Sequence, residues 1–177
     1  LKLKEGNYQV KIDSTLEPGH LTYGEFFQRG KKEDEILIST YICHPSLCND
    51  NLSGIVFCTM LANFLKRISL NHSIRFLFIP ETIGAITWLS LNEKNLHKIK
   101  YGLNISDIGN KENLIYKKSR NGNTKTDSII SNILNKSEVK SEIVEFFPYG
   151  SDERQFCSPG LNLPVGHLLR EFYDTSI

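Results

Sequence analysis

The sequence predicts a three-layer αβα sandwich built on a mixed sheet that is largely parallel at its centre. Three observations carry this. Residues 35–42 and 73–79 are nearly continuous apolar runs, the pattern of strands buried on both faces. Between them, residues 52–68 repeat apolar side chains at helical spacing (Leu52, Val56, Met60, Leu61, Phe64, Leu65). From there to the C-terminus, strand-like and helical segments keep alternating, as crossovers between parallel strands require.

Taken in order, residues 8–13 alternate in polarity, and so does the stretch around Leu21, Tyr23 and Phe26. With Glu17-Pro18-Gly19 between them, the pair predicts a hairpin-like, antiparallel start. The strand at 35–42 leads to the helix at 52–68, with Asn51 or Asp50 placed to cap it. Pro80 stops the strand at 73–79, and a helix is expected from about Gly84 to Leu91. A third strand covers 101–106 and ends in Asp107-Ile108-Gly109. Residues 113–118 form a further strand and 126–134 a helix, and 142–147 and 162–168 the last two strands.

The bulk properties are those of one ordinary globular domain spanning residues 1–177. Of its residues 40% are apolar and 23% charged, and the 21 basic and 20 acidic side chains leave a formal charge of +1. That balance excludes the basic footprint of a nucleic-acid or anionic-lipid binder. The charged run Lys31–Glu35 mixes signs and reads as a solvated turn. No stretch approaches the roughly 18–20 apolar residues needed to span a bilayer, so no membrane partner is expected. Cys43, Cys48, Cys58 and Cys157 lack C-x-x-C spacing and read as reduced thiols, which points to the cytoplasm. The missing initiating Met and the early strand pattern suggest a segment of something longer, lacking flanking parts.

Ligands of open α/β sheets bind beyond the carboxyl ends of the strands. Here one strand runs into Cys43-His44-Pro45 and Asn49-Asp50-Asn51, the next into Pro80-Glu81, and the third into Asp107. Imidazole and carboxylate groups so gathered suit a Zn²⁺ site with one position left for water. Zinc lowers the pKa of that water toward about 7, and an unbound carboxylate beside it can act as base. Each residue also has a plain structural reading. His44 can be a hydrogen-bonded strand-end residue, Asp50 an N-cap, Glu81 a first-turn acid and Asp107 a turn residue. Spacing alone leaves both sets of readings open.

Four segments tip the balance: Cys43–Gly54 (CHPSLCNDNLSG), Pro80–Ala85 (PETIGA), Asn104–Gly109 (NISDIG) and Gly150–Phe156 (GSDERQF). Together they resemble the co-catalytic zinc aminopeptidases and the related glutaminyl cyclases. They look most like a bacterial aminopeptidase-like family whose genes often lie near those of polysaccharide biosynthesis. The resemblance runs from about Tyr8 to Thr175. It implies a zinc-dependent hydrolase acting on a peptide or small amide. His44 would bind the first metal, Asp50 would bridge two metals, Asp107 would be a further first-metal ligand, and Glu81 would be the general base. Ser151-Asp152 aligns with a segment that lines the site, and Asp152 and Glu153 are expected to offer an acidic pocket to a substrate amine. Arg170, also expected near the substrate, leads to Tyr173-Asp174-Thr175-Ser176, where Asp174 should be the last ligand. Two departures stand out. Thr82 replaces a second Glu, and Asp174 replaces a His. Both fall on the second metal, so one zinc is expected and a second is weakened. A metal-stabilised module without catalysis, or an amidase of sugar biosynthesis, is the alternative that the same resemblance allows.

Overall fold

The computed structural model of the chain describes residues 4–170. Seven strands form one sheet in the order β1-β3-β2-β4-β7-β5-β6. Four of them are mutually parallel and adjacent: β3 (His72–Ile79), β2 (Lys32–Tyr41), β4 (Ile99–Ile105) and β7 (Val165–Leu169). The flanks run the other way. β1 (Gly24–Gln28) pairs antiparallel with β3, while β5 (Leu114–Lys117) is antiparallel to β7 and carries β6 (Ser141–Val144) on its outer side.

Side chains alternate across a strand, and the two faces of β2 divide the core accordingly. On one face, Leu37 packs with Leu77, Trp88, Leu89 and Phe156, which brings in α2 (Ile83–Asn92), the 3₁₀ helix Glu93–Lys98 and α4 (Glu153–Phe156). On the other, Ile38 packs with Phe76, Ile105 and Cys58, and Leu61 and Leu65 of α1 (Gly54–Leu65) close over them. The helix α3 (Lys125–Lys136) lies on this second face, where Ile129 and Ile130 share an apolar cleft with Ile36 and Leu103. Helices therefore cover both faces, as expected of a largely parallel sheet. Among the described residues no helix is long and apolar enough to cross a membrane.

Four expectations need correcting. The charged run Lys31–Glu35 is no solvated turn: from Lys32 it opens β2, and Glu35 is buried against Arg75 at 2.8 Å. Residues 8–13 form no strand, and Val10 and Ile12 are more than 80% exposed. Alternation of polarity predicts a strand only where a sheet face is free to receive it, and the strand that does form here, β1, pairs with β3 instead. The helix expected from residue 52 begins in earnest at Gly54. It is preceded by a kinked turn over Cys48–Ser53, inside which Asp50 and Asn51 have non-helical backbone angles. Finally, neither Asp50 nor Asn51 caps α1, which starts without a side-chain cap.

Candidate metal centre

The three parallel strands β3, β2 and β4 are neighbours, and each hands its chain to the same rim at its carboxyl end. β2 ends at Tyr41 and places Cys43 and His44 beyond it. β3 ends at Ile79 and places Glu81, and β4 ends at Ile105 and places Asp107. Metal-capable atoms of Cys43, His44 and Glu81 all lie within 4.8 Å of one another. His44 Nδ1 is 3.8 Å from Asp50 Oδ1. The Tyr41 hydroxyl links the two aspartates, at 2.5 Å from Asp50 Oδ1 and 3.0 Å from Asp107 Oδ2. His44 presents its ring edgewise to Tyr41, with centroids 5.3 Å apart.

Side chains that the sequence reading gave no part in the site, Asn51 among them as a candidate helix cap, hold this rim together. Asn51 is buried. Its amide donates to Thr40 Oγ1 (2.8 Å) and to the Tyr41 carbonyl (2.9 Å), while its Oδ1 accepts from the Asp107 N–H (3.1 Å). Ser53 Oγ accepts from the Ile108 N–H (3.1 Å), and Asn49 Oδ1 from the Gly109 N–H (2.8 Å). The Asn-Asp-Asn-Leu-Ser segment thus pins three consecutive backbone donors of the Asp107 loop. Asp107 sits at φ 49°, in the left-handed region that aspartate tolerates better than most residues. The signal was present in the sequence: amides and hydroxyls at alternate positions before a helix compete for backbone partners. Gly54 belongs to the same device, because a Cβ there would meet Asn51 Oδ1 at 2.4 Å and Thr40 Oγ1 at 2.6 Å.

Glu81 stands just outside α2, so the role of a first-turn acid is not the one it takes. Its Oε1 accepts from Ser151 Oγ at 2.7 Å. The next residue, Thr82, lies at φ 62° and ψ −69°, and the Ile83 N–H reaches the Glu81 carbonyl at 2.7 Å. This is the rare, strained form of the γ-turn, and a β-branched residue adopts it only under constraint. Asp152 supplies one, accepting the Thr82 N–H at 2.7 Å.

Charge is concentrated around these acids. Burial holds the Asp107 carboxyl above its usual range. Hydrogen bonds from Ser106 and Tyr41 oppose that rise, and the negative charges of Asp50 and Glu81 add to it. Burial likewise pushes Asp152 up to about 7 against the pull of the Thr82 N–H, with Glu81 and Glu153 adding to the rise.

The two acids expected to line a substrate pocket, Asp152 and Glu153, are both fully buried. Glu153 pairs with Lys117 (Nζ to Oε1, 2.6 Å), which is itself fully buried, and lies 3.3 Å from His167 Nδ1. Burial opposes its ionisation, but His167 and Lys117 outweigh burial and hold the carboxyl below the usual range. His167 Nε2 in turn meets Ser106 Oγ at 2.8 Å, next to Asp107. These acids sit beneath the rim, not on an open wall. Arg170 follows β7; its N–H donates to the Asp107 carbonyl (3.1 Å) and its guanidinium to the Glu112 carbonyl (2.6 Å). Asp174 lies outside the described residues.

Comparisons with known proteins agree with this architecture. A Clostridium acetobutylicum protein, provisionally named a polysaccharide biosynthesis protein with an aminopeptidase-like domain, is 50% identical over 172 residues, which is 97% of this chain and 40% of that protein. The chain thus spans about 40% of the length of this curated relative. A crystal structure from C. acetobutylicum, provisionally described as a peptidase, matches with a TM-score of 0.84 at 48% identity, over 86% of this chain and 36% of that one. The zinc aminopeptidase of Bacillus subtilis shares the fold at a TM-score of 0.68 and 16% identity, over 85% of this chain and 41% of that one. The family model described as a domain of unknown function (DUF4910) matches residues 7–176. From the strand-end rim to the sheet that carries it, then, this is an aminopeptidase-like α/β fold, and the chain belongs to the DUF4910 family.

Proposed function

We propose that the chain is the metal-binding core of a zinc-dependent hydrolase of aminopeptidase type, acting on a peptide or small amide. One observation carries this reading: the ligand atoms of Cys43, His44 and Glu81 converge within 4.8 Å at the carboxyl ends of adjacent parallel strands. The donors suit the ion. Zinc takes imidazole nitrogen and carboxylate oxygen at about 2.0–2.2 Å, and His44 Nδ1 and Asp50 Oδ1, 3.8 Å apart, are close enough to share one ion at that distance. His44, Asp50 and Asp107 would hold the metal, with Asp174 the further ligand that the resemblance implies. A bound zinc would polarise the substrate carbonyl and acidify the attacking water.

The remaining work falls to the chain's own side chains. Glu81 would take the proton of that water and pass it to the leaving amine. The Ser151 hydroxyl on Glu81 Oε1 and the Asp152 anchor on Thr82 favour one orientation of that carboxylate. Asp152 and Glu153, buried beneath the rim, would support it from below through Thr82 and through Lys117 and His167, while Arg170, bonded to the Asp107 carbonyl, would stand nearest the substrate. Thr82 offers a hydroxyl where a carboxylate would strengthen a second metal, which supports a single zinc. The free state of all four cysteines supports a cytoplasmic setting.

Hydrolysis of an aminoacyl anilide by the zinc-loaded chain tests the proposal. The expected result is turnover that falls about a hundredfold or more in Glu81→Gln. Zinc bound without any turnover would favour the second reading, a metal-stabilised binding module, which Thr82 also favours.

A further inference from the structure

Four thiols are present, and they divide sharply by environment. Cys58 and Cys157 are buried in the core, where burial pushes Cys58 up to about 12 and raises Cys157 as well. Cys43 and Cys48 are exposed. Of these two, only Cys43 belongs to the cluster with His44 and Glu81.

The placement of Cys43 is unlike that of a packing residue. Consecutive side chains of an extended segment point to opposite sides, yet Cys43 Sγ lies 3.4 Å from His44 Nδ1, on the very next residue. The loop has turned both side chains to one point. The Glu81 N–H donates to the same sulfur at 3.3 Å, so the sulfur already acts as an acceptor within the rim. A sulfur that accepts from a backbone donor and stands beside an imidazole and a carboxylate has the surroundings of a thiolate ligand.

We propose that Cys43 is a ligand of the metal at this site, its thiolate binding beside His44 to give a mixed sulfur, nitrogen and oxygen centre. The inference rests on the metal-binding reading above and deepens it. It leaves Glu81 free to act as base, with Asp50 and Asp107 supplying oxygen. Binding would release the thiol proton to solvent as the sulfur–metal bond forms, with no oxidation or reduction. A thiolate makes the site selective for zinc, cobalt(II) and cadmium over magnesium, calcium and manganese.

Cobalt(II) titration of the full chain, followed by absorption spectroscopy, tests this. The wild type should develop thiolate-to-cobalt charge-transfer absorption in the near ultraviolet alongside the visible ligand-field bands, and excess magnesium should not reverse it. Cys48→Ser should keep the charge-transfer absorption. Cys43→Ser should lose it while retaining the visible bands and an unchanged circular dichroism spectrum. Cobalt bound by the wild type without charge transfer would overturn the ligand role of Cys43 and leave the metal site standing. Charge transfer lost in Cys48→Ser would overturn it equally. No cobalt binding at all would overturn both readings.

Discussion

Asn51 is 1% exposed and spends its amide on two strand ends, donating to Thr40 and Tyr41 of β2 and accepting from Asp107 beyond β4. Truncating it strands a hydroxyl, a carbonyl and an N–H in a buried position, and each such group costs about 1–3 kcal/mol. Asn51→Ala should therefore lower unfolding free energy by about 3 kcal/mol, read from urea denaturation, and should weaken metal binding because Asp107 loses its tether. A second residue-scale prediction concerns Asp152. Its carboxyl titrates near 7 in the folded chain, against an ordinary value of 3.8. Between those pH values the unfolded chain releases a proton that the folded chain keeps, so stability falls as pH rises through the window and levels off above it. Asp152→Asn keeps an acceptor for the Thr82 N–H and removes the ionisation. Urea midpoints of the wild type should drop between pH 5 and pH 8, and those of Asp152→Asn should drop distinctly less. A flat wild-type profile would contradict this account of the buried carboxyl.

At the scale of elements, α3 shows how local chemistry and packing agree. Thr124 and Asp127 form a capping box at its start. Asp127 also accepts from Tyr116, from the Ser119 N–H and from the Ser119 hydroxyl, at 2.8, 2.8 and 2.6 Å. Burial opposes its ionisation, but the bonds from Ser119, Thr124 and Tyr116 outweigh that and hold the carboxyl below 3.8. The stabilisation is present above that value and lost as pH falls through the folded one. Asp127→Asn should be less stable at neutral pH by about 2 kcal/mol. It should also show a shallower loss of stability below about pH 4, measured by denaturation across an acid series.

The elements differ in how openly the sequence announces them. β2 and β3 were readable because both their faces are buried, which leaves an apolar run that little else produces. The helix between them was readable as a helix but not by face. Val56, Met60 and Phe64 are more than half exposed, while Cys58, Leu61 and Leu65 pack inward. A helix apolar on nearly all sides gives no direction from pattern alone. The kinked turn at Cys48–Ser53 was hidden for a different reason. Its backbone follows side-chain hydrogen bonds to strand ends about 10 and 56 residues away in sequence, and no local window contains those partners.

For the whole molecule, topology does what no single segment can. The order β3-β2-β4-β7 sets the parallel strands side by side, so their carboxyl ends form one rim. That rim was legible as a list of strand-end residues: His44, Asp50, Glu81 and Asp107. What stayed hidden was the support beneath it. Tyr41 reads as one more apolar strand residue, yet its hydroxyl joins Asp50 to Asp107. Lys117, Glu153, His167 and Ser106 form a buried polar chain from β5 through β7 to the end of β4. Buried ions of this kind are stable only when every partner is in place, and those partners come from separate parts of the chain. The central claim is that this rim holds a metal. The direct measurement is the zinc content of the purified chain after dialysis, compared with His44→Ala of unchanged circular dichroism. The expected result is about one zinc per chain, lost in the variant. A chain that retains no zinc, or a variant that retains as much as the wild type, would contradict it.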